Sequence, residues 1–70
     1  MRVMVFGATG VIGRRVVPLM IRAGHRVTAV GRSPDRLRNL ESQGAATIVL
    51  DLFDRDGVRR AIAGQEAIVT

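Results

Sequence analysis

Residues 3–13 read V-M-V-F-G-A-T-G-V-I-G, an apolar run followed by glycines at every third position. The run predicts a strand, and the apolar periodicity that follows Gly13 predicts a helix. A strand, a glycine turn and a helix bring backbone N–H groups and a helix N-terminus to one point, which is an arrangement that binds phosphate. The stretch therefore predicts a dinucleotide-binding turn. The alternative is a glycine-rich turn that only connects two elements.

Each glycine of this stretch has a separate expected role. Gly7 can adopt the tight turn after the strand, where a side chain would be strained. Gly10 leaves room for a pyrophosphate to approach the backbone, and Gly13 allows the helix to pack closely on the strand. The spacing is G-x-x-G-x-x-G, whereas the standard dinucleotide fingerprint is G-x-G-x-x-G. The prediction therefore depends on where the glycines lie, between a strand and a helix.

Length and composition limit the classes of function. Seventy residues form at most one small domain, and the 47% hydrophobic content is typical of a globular chain. The net charge of +5 comes from arginines scattered over several segments, and only two residues are aromatic, so we expect no nucleic-acid partner. No apolar run has the length of a membrane span or a signal peptide, so we expect a cytoplasmic protein that binds no membrane. The chain has no cysteine, and no metal site is predicted.

The remaining sequence alternates between strand and helix signals. Strands are predicted at residues 2–6, 25–30, 46–52 and from 67, and helices at 11–23, after a Ser33-Pro34 cap and after an Asp54 cap, with glycines 24, 44 and 64 ending them. The order β-α-β-α-β-α-β predicts an α/β fold with right-handed parallel crossovers. We expect strand order 3-2-1-4, a Rossmann-like half in which residues 1–70 form a single, incomplete dinucleotide-binding domain.

This topology predicts an uneven distribution of helices over the sheet. The first two helices lie on one face, and only the third covers the other, so much of the second face is expected to be bare and apolar. A monomer tolerates such a face poorly. We therefore expect a fragment, a truncated reading frame, or a chain whose sheet is covered by self-association or by a missing C-terminal portion.

The end of the second strand indicates which dinucleotide is bound. An acidic residue there would accept hydrogen bonds from the adenosine ribose and favour NAD. The chain instead has Arg32 followed by Ser33, which suits a 2′-phosphate, so NADP is predicted and NAD is the less favoured cofactor. The alternatives are that Arg32 is a solvated turn residue and that the Ser33 hydroxyl is occupied in capping the second helix.

Asp51 and Leu52 close the third strand at the same edge of the sheet. The Asp51 carboxylate is placed to accept a hydrogen bond from the adenine amino group, and Leu52 to pack on the ring or supply its backbone. An aspartate that only stabilises a turn is an equally open alternative.

Three motifs together, G-A-T-G-V-I-G, V-G-R-S and V-L-D-L-F-D, resemble the N-terminal portion of the extended and atypical short-chain dehydrogenase/reductases. The similarity is greatest to their NAD(P)H-binding, epimerase/dehydratase-like and NmrA-like members. It covers all seventy residues, but only the cofactor-binding beginning of that fold. It implies that Arg32 occupies the NADP-selecting position and that Asp51 and Leu52 contact adenine. The pyrophosphate loop implied by the resemblance consists of Gly7, Ala8, Thr9, Gly10, Val11, Ile12 and Gly13.

The reactive groups of that family are missing. Its enzymes typically use a tyrosine and a lysine four residues later for proton transfer, and this chain contains neither residue type. No catalytic residue is therefore predicted. The sequence indicates an NADP(H)-binding segment of an oxidoreductase- or epimerase-like protein. The alternatives are a non-catalytic NADP-sensing or interaction module, as in NmrA-like regulators, and a degenerate remnant that binds nothing.

Overall fold

A computed structural model describes residues 1–51 and 53–69 as one four-stranded parallel sheet with three helices. The elements are β1 (Arg2–Phe6), α1 (Gly13–Arg22), β2 (Arg26–Gly31), α2 (Pro34–Ser42), β3 (Ala46–Val49), α3 (Arg55–Ile62) and β4 (Ala67–Val69). The strand order is β3-β2-β1-β4, and each neighbouring pair is parallel. The predicted α/β class and strand order are confirmed.

The main core lies between the sheet and the first two helices. Val3 and Val5 of β1 stand in register with Val27 and Ala29 of β2, so these four side chains share one face. They form a buried cluster with residues of α1, α2 and the α2–β3 connection, namely Val17, Leu37, Leu40 and Ala45. The apolar runs of β1 and β2 are therefore used as buried parallel strands, whereas no residue of β3 or β4 is fully buried.

The opposite face is covered at its centre. Met4 of β1 and Val30 of β2 have no exposed surface, and the right-handed crossover from β3 to β4 carries α3 across this side. The prediction of a largely bare second face is therefore wrong for the two central strands. Exposure remains on the outer strands, where Ile68 of β4 is 46% exposed and Ala46 of β3 is exposed.

The residues predicted to begin and to terminate the helices do so in the structure. Ser33 and Asp54 are the N-cap residues of α2 and α3, and each accepts a hydrogen bond from a backbone N–H of its helix. Glycines 24, 44 and 64 follow the three helices with φ of +89°, +107° and +80°. These left-handed conformations are the ones that favour glycine after a helix.

Several boundaries differ from the prediction: β2 is shifted by one residue, to Arg26–Gly31, and α1 ends one residue earlier, at Arg22. α1 begins at Gly13, two residues later than expected, because Val11 and Ile12 belong to the preceding turn. β3 ends at Val49, since the chain turns at Asp51, whose carbonyl accepts a hydrogen bond from Asp54 N at 3.0 Å.

One face of α1 also differs from expectation. The apolar residues of the predicted helix include Leu19 and Val17, but only Val17 is buried against the sheet, and Leu19 is 62% exposed. The helix continues through Pro18. Within residues 1–51 and 53–69, no helix has the length and apolar character needed to cross a membrane.

Candidate functional site

The glycine turn connects β1 directly to α1. Gly7 has φ of +66°, so the chain reverses immediately after the strand in a conformation that a side chain would strain. Gly10 N then donates to the Gly7 carbonyl at 2.9 Å, and Arg14 N donates to the Gly10 carbonyl at 3.0 Å. The structure therefore contains the tight turn expected at Gly7, and this turn leads into the first turn of the helix.

Gly13 is the position where the turn and the helix are in closest contact. A Cβ atom at Gly13 would lie 2.6 Å from both the Ala8 Cα and the Gly7 carbonyl oxygen. A Cβ atom at Gly10 would lie 3.2 Å from the same carbonyl oxygen. Gly13 was expected to allow close packing of the helix on the strand, and the close contact is instead with the backbone of the turn that follows the strand.

The N-terminus of α1 is suited to an anion. In the described part of the chain no side chain caps this helix, and its first turn contains no acidic residue. The start of a helix carries partial positive charge, although the N–H groups of Arg14 and Arg15 already donate to the Gly10 and Ile12 carbonyls here. Val11 and Ile12, which precede α1, are 60% and 75% exposed, so this end of the helix lies at the surface.

The glycine turn is also attached to the end of β2. Ala8 N donates to the Val30 carbonyl at 3.2 Å, and Ala8 is fully buried. A Cβ atom at Gly31 would lie 3.4 Å from the Thr9 Cγ2. These contacts place the Gly31-Arg32-Ser33 turn beside the glycine turn.

A cleft of about 560 Å³ opens at this carboxyl edge of the sheet. It brings together six of the residues predicted from the sequence, which come from three separate connections: Gly7, Thr9, Gly10, Arg32, Ser33 and Asp51. A ligand-binding crevice at the carboxyl ends of parallel strands is the general arrangement in doubly wound folds.

The other predicted site residues do not line the cleft. Ala8 and Gly13 are buried within the turn, where they shape the backbone. Val11 and Ile12 are exposed outside the cleft. Leu52, predicted as an adenine contact, lies outside the described residues.

Arg36, Leu50 and Phe53 also line the cleft, and none of the three was predicted from the sequence. Arg36 lies in the first turn of α2, three residues after the Ser33 cap. That spacing could have predicted Arg36 as a site residue, because the first turn of a helix that starts at the sheet edge faces the same crevice as its cap. Leu50 and Phe53 flank Asp51 and gave no comparable signal.

The lining is divided by charge. Arg32 and Arg36 come from the β2–α2 segment and supply two guanidinium groups. Leu50 and Phe53 come from the segment after β3 and supply apolar surface. The cleft can therefore receive an anionic group near α2 and a flat apolar group near the β3 end.

Two polar side chains of the cleft also accept hydrogen bonds from backbone N–H groups. The Ser33 Oγ accepts from Arg36 N at 3.4 Å, longer than the usual range for such a bond, so capping holds this hydroxyl weakly. The Asp51 Oδ1 accepts from Phe53 N at 2.9 Å, so Asp51 does stabilise a turn. The carboxylate has a second oxygen that can accept a further hydrogen bond.

A larger and more polar depression of about 810 Å³ lies beside the cleft. It shares Thr9 and Arg36 with the cleft and is otherwise lined by residues of α1 and α2, including Arg14 and Arg38. It contains none of the three glycines of the turn. The smaller cleft is therefore the candidate site.

Comparison with protein families identifies the family of the chain. A model of the family described as NAD(P)H-binding matches residues 7–70, which include the glycine turn and every segment lining the cleft except the end of β1. The chain belongs to the NAD(P)H-binding family. A nicotinamide dinucleotide is therefore the class of cofactor.

Relatives of this NAD(P)H-binding chain include reductases and epimerases. The chain is 38% identical over 63 residues to a 3-diazoavenalumate denitrifying reductase of Streptomyces, covering 90% of this chain and 19% of the reductase. It superposes on a nucleoside-diphosphate-sugar epimerase of Pseudomonas aeruginosa with a TM-score of 0.87 at 25% identity, covering 97% of this chain and 22% of the epimerase. An NADPH-dependent quinone oxidoreductase of Escherichia coli gives a TM-score of 0.80 at 25% identity, covering 94% and 25%.

The resemblance to short-chain dehydrogenase/reductases and epimerases is thereby confirmed. This NAD(P)H-binding chain spans about a fifth to a quarter of the length of the three proteins.

Proposed function

We propose that the chain is the NADP(H)-binding segment of an oxidoreductase- or epimerase-like protein. In this proposal the glycine turn receives the pyrophosphate, and Arg32 with Ser33 receives the 2′-phosphate of the adenosine ribose. The observation that carries the proposal is that Arg32 and Arg36 line the same cleft as Gly7 and Gly10. The E. coli relative, whose name states that it depends on NADPH, agrees with this preference.

Electrostatics favours a phosphate over a bare hydroxyl at this position. A guanidinium group matches the geometry of a phosphate and can donate two parallel hydrogen bonds to it. The position after β2 that would carry an acid in an NAD-selective site carries Arg32. A carboxylate there would repel the 2′-phosphate, whereas two arginines attract it.

The reacting groups are proposed to lie outside these seventy residues. The sequence has no tyrosine, no cysteine and no lysine, and its single histidine is His25. His25 precedes β2, whereas the cleft lies at the other end of that strand, roughly 17 Å away at the usual rise per residue. The described cleft therefore binds and orients a cofactor, and proton transfer requires groups supplied elsewhere.

The proposal is tested by calorimetric titration of the chain with NADP⁺ and with NAD⁺. NADP⁺ should bind more tightly. Arg32→Ala should weaken NADP⁺ binding roughly tenfold to a hundredfold, as loss of a charged hydrogen bond does, and leave NAD⁺ binding unchanged. Arg55→Ala, which removes the same charge from α3, is the matched control and should change neither. An equal loss for both cofactors, or tighter NAD⁺ binding, would contradict the 2′-phosphate assignment.

A further inference from the structure

Phe53 is a large apolar side chain at the edge of the cleft. It is 90% exposed and lines the cleft together with Leu50. Exposed apolar residues that occur singly are common on protein surfaces and need no explanation in themselves. The position of Phe53 in the cleft is what makes it informative, because a ring there can contact a ligand.

The backbone at Phe53 is held on both sides. Phe53 N donates to the Asp51 Oδ1 at 2.9 Å, and Asp54 N donates to the Asp51 carbonyl at 3.0 Å. The Asp54 Oδ1 in turn accepts from Gly57 N at 3.0 Å in the first turn of α3. The N–H groups of Phe53 and Asp54 are therefore both hydrogen-bonded to Asp51, which reduces the entropy lost when a ligand packs on the exposed ring.

The order of the connections along the sheet edge determines which part of a dinucleotide reaches Phe53. The glycine turn follows β1, the Arg32 turn follows the neighbouring strand β2, and the Phe53 turn follows the outer strand β3. With the pyrophosphate at the glycine turn and the 2′-phosphate at Arg32, the base attached to that ribose extends toward the β3 side. The nicotinamide end extends the other way, toward β4.

We infer that Phe53 stacks on the adenine ring of the bound cofactor, with Leu50 beside it. This inference rests on the proposed function. Adenine presents a flat aromatic face, and stacking of a base on an aromatic side chain requires no particular hydrogen-bond pattern. The second oxygen of Asp51, in the same turn, is the group available to the adenine amino group. Phe53 thus supplies affinity for the base, and Asp51 is placed to supply selectivity.

The test uses 2′,5′-ADP, which contains the adenine and the 2′-phosphate but no nicotinamide. Phe53→Ala should weaken its binding roughly fivefold to a hundredfold, the range found when an aromatic stacking partner of a base is removed. Phe53→Trp should keep the affinity close to that of the unmodified chain. The chain has no tryptophan, so the introduced indole is the only one, and its fluorescence should be quenched on binding. Leu19→Ala, which removes a 62% exposed side chain outside the cleft, should bind as the unmodified chain does.

The outcomes separate this inference from the function on which it rests. Unchanged binding by a folded Phe53→Ala chain, or an indole that does not respond to ligand, overturns the stacking role while leaving the cofactor assignment intact. Failure of the folded, unmodified chain to bind 2′,5′-ADP overturns both. Circular dichroism of each variant establishes that it is folded.

Discussion

The amide of Ala8 donates a hydrogen bond to the carbonyl oxygen of Val30 at 3.2 Å. β1 ends at Phe6 and β2 at Gly31, so this bond extends the pairing of the two strands into the connection that follows β1. It fixes the spacing between the glycine turn and the turn that carries Arg32. A ligand that contacts both turns therefore meets them at a preset separation, which lowers the entropic cost of binding.

Gly13→Ala should destabilise the chain by about 1–3 kcal/mol, as overpacking does, even though alanine is the better helix former. The new Cβ would lie 2.6 Å from backbone atoms of Ala8 and Gly7, which cannot move aside as a flexible side chain can. Urea unfolding followed by circular dichroism measures the change. Gly31→Ala is the control, because its nearest contacts are side-chain atoms at 3.4 Å. Equal losses in the two variants would contradict the steric explanation.

Asp54→Ala should cost about 1 kcal/mol of stability, because it removes the N-cap of α3. Its Oδ1 accepts from Gly57 N at 3.0 Å, whereas the Ser33 Oγ accepts from Arg36 N at 3.4 Å. Ser33→Ala should therefore cost less. Asp56→Ala removes an acid from the same first turn of α3 and controls for the charge. If Asp56→Ala and Asp54→Ala lower the free energy of unfolding equally, charge rather than capping is responsible.

Pro18→Ala should raise the free energy of unfolding, by about 1–3 kcal/mol, since proline in a helix interior lacks the N–H that bonds the preceding turn. Pro18 lies within α1. Pro34 occupies the first position of α2, where an N–H group would have no intrahelical acceptor, so no hydrogen bond is lost. Pro34→Ala should therefore leave stability unchanged or lower it slightly. Thermal melts of both variants compare the two positions, and a stabilised Pro34→Ala chain would contradict this account.

Arg36→Ala should weaken NADP⁺ binding roughly tenfold, with little effect on NAD⁺. Arg38→Ala is the matched control two residues later in α2. Arg38 has a side chain that is 77% exposed, pairs with Asp35 at 3.6 Å and does not line the cleft. Calorimetric titration of both variants measures the contrast. Similar losses would mean that the general positive charge of the chain, rather than the position of Arg36, attracts the phosphate.

The elements of the fold could be predicted because their signals are local. Ser33 and Asp54 cap helices through contacts three residues along the chain, and Gly24 ends α1 through its own backbone conformation. The apolar runs fix the strands in the same way. The face of a helix that is buried depends on tertiary packing instead, which is why Leu19 is exposed although it is apolar.

The candidate site was predictable only in part, for a related reason. Gly7 and Arg32 are recognised by their place directly after a strand. Arg36 and Phe53 reach the cleft because α2 and the turn after β3 begin at the same edge of the sheet, and their spacing in the sequence does not encode that convergence. Asp51 stabilises a turn through two hydrogen bonds, from Phe53 N to its carboxylate and from Asp54 N to its carbonyl, and the sequence alone left this role undecided.

Two hydrogen bonds connect the cleft to α3: Asp54 N donates to the Asp51 carbonyl, and Gly57 N donates to the Asp54 Oδ1. A ligand that immobilises the turn after β3 therefore also opposes fraying at the start of that helix. The Gly57 amide proton reports on this, because it exchanges with solvent only when the Asp54 cap opens. Slower exchange of the buried Gly57 amide on addition of NADP⁺ would therefore report that a ligand occupies the part of the cleft near Phe53.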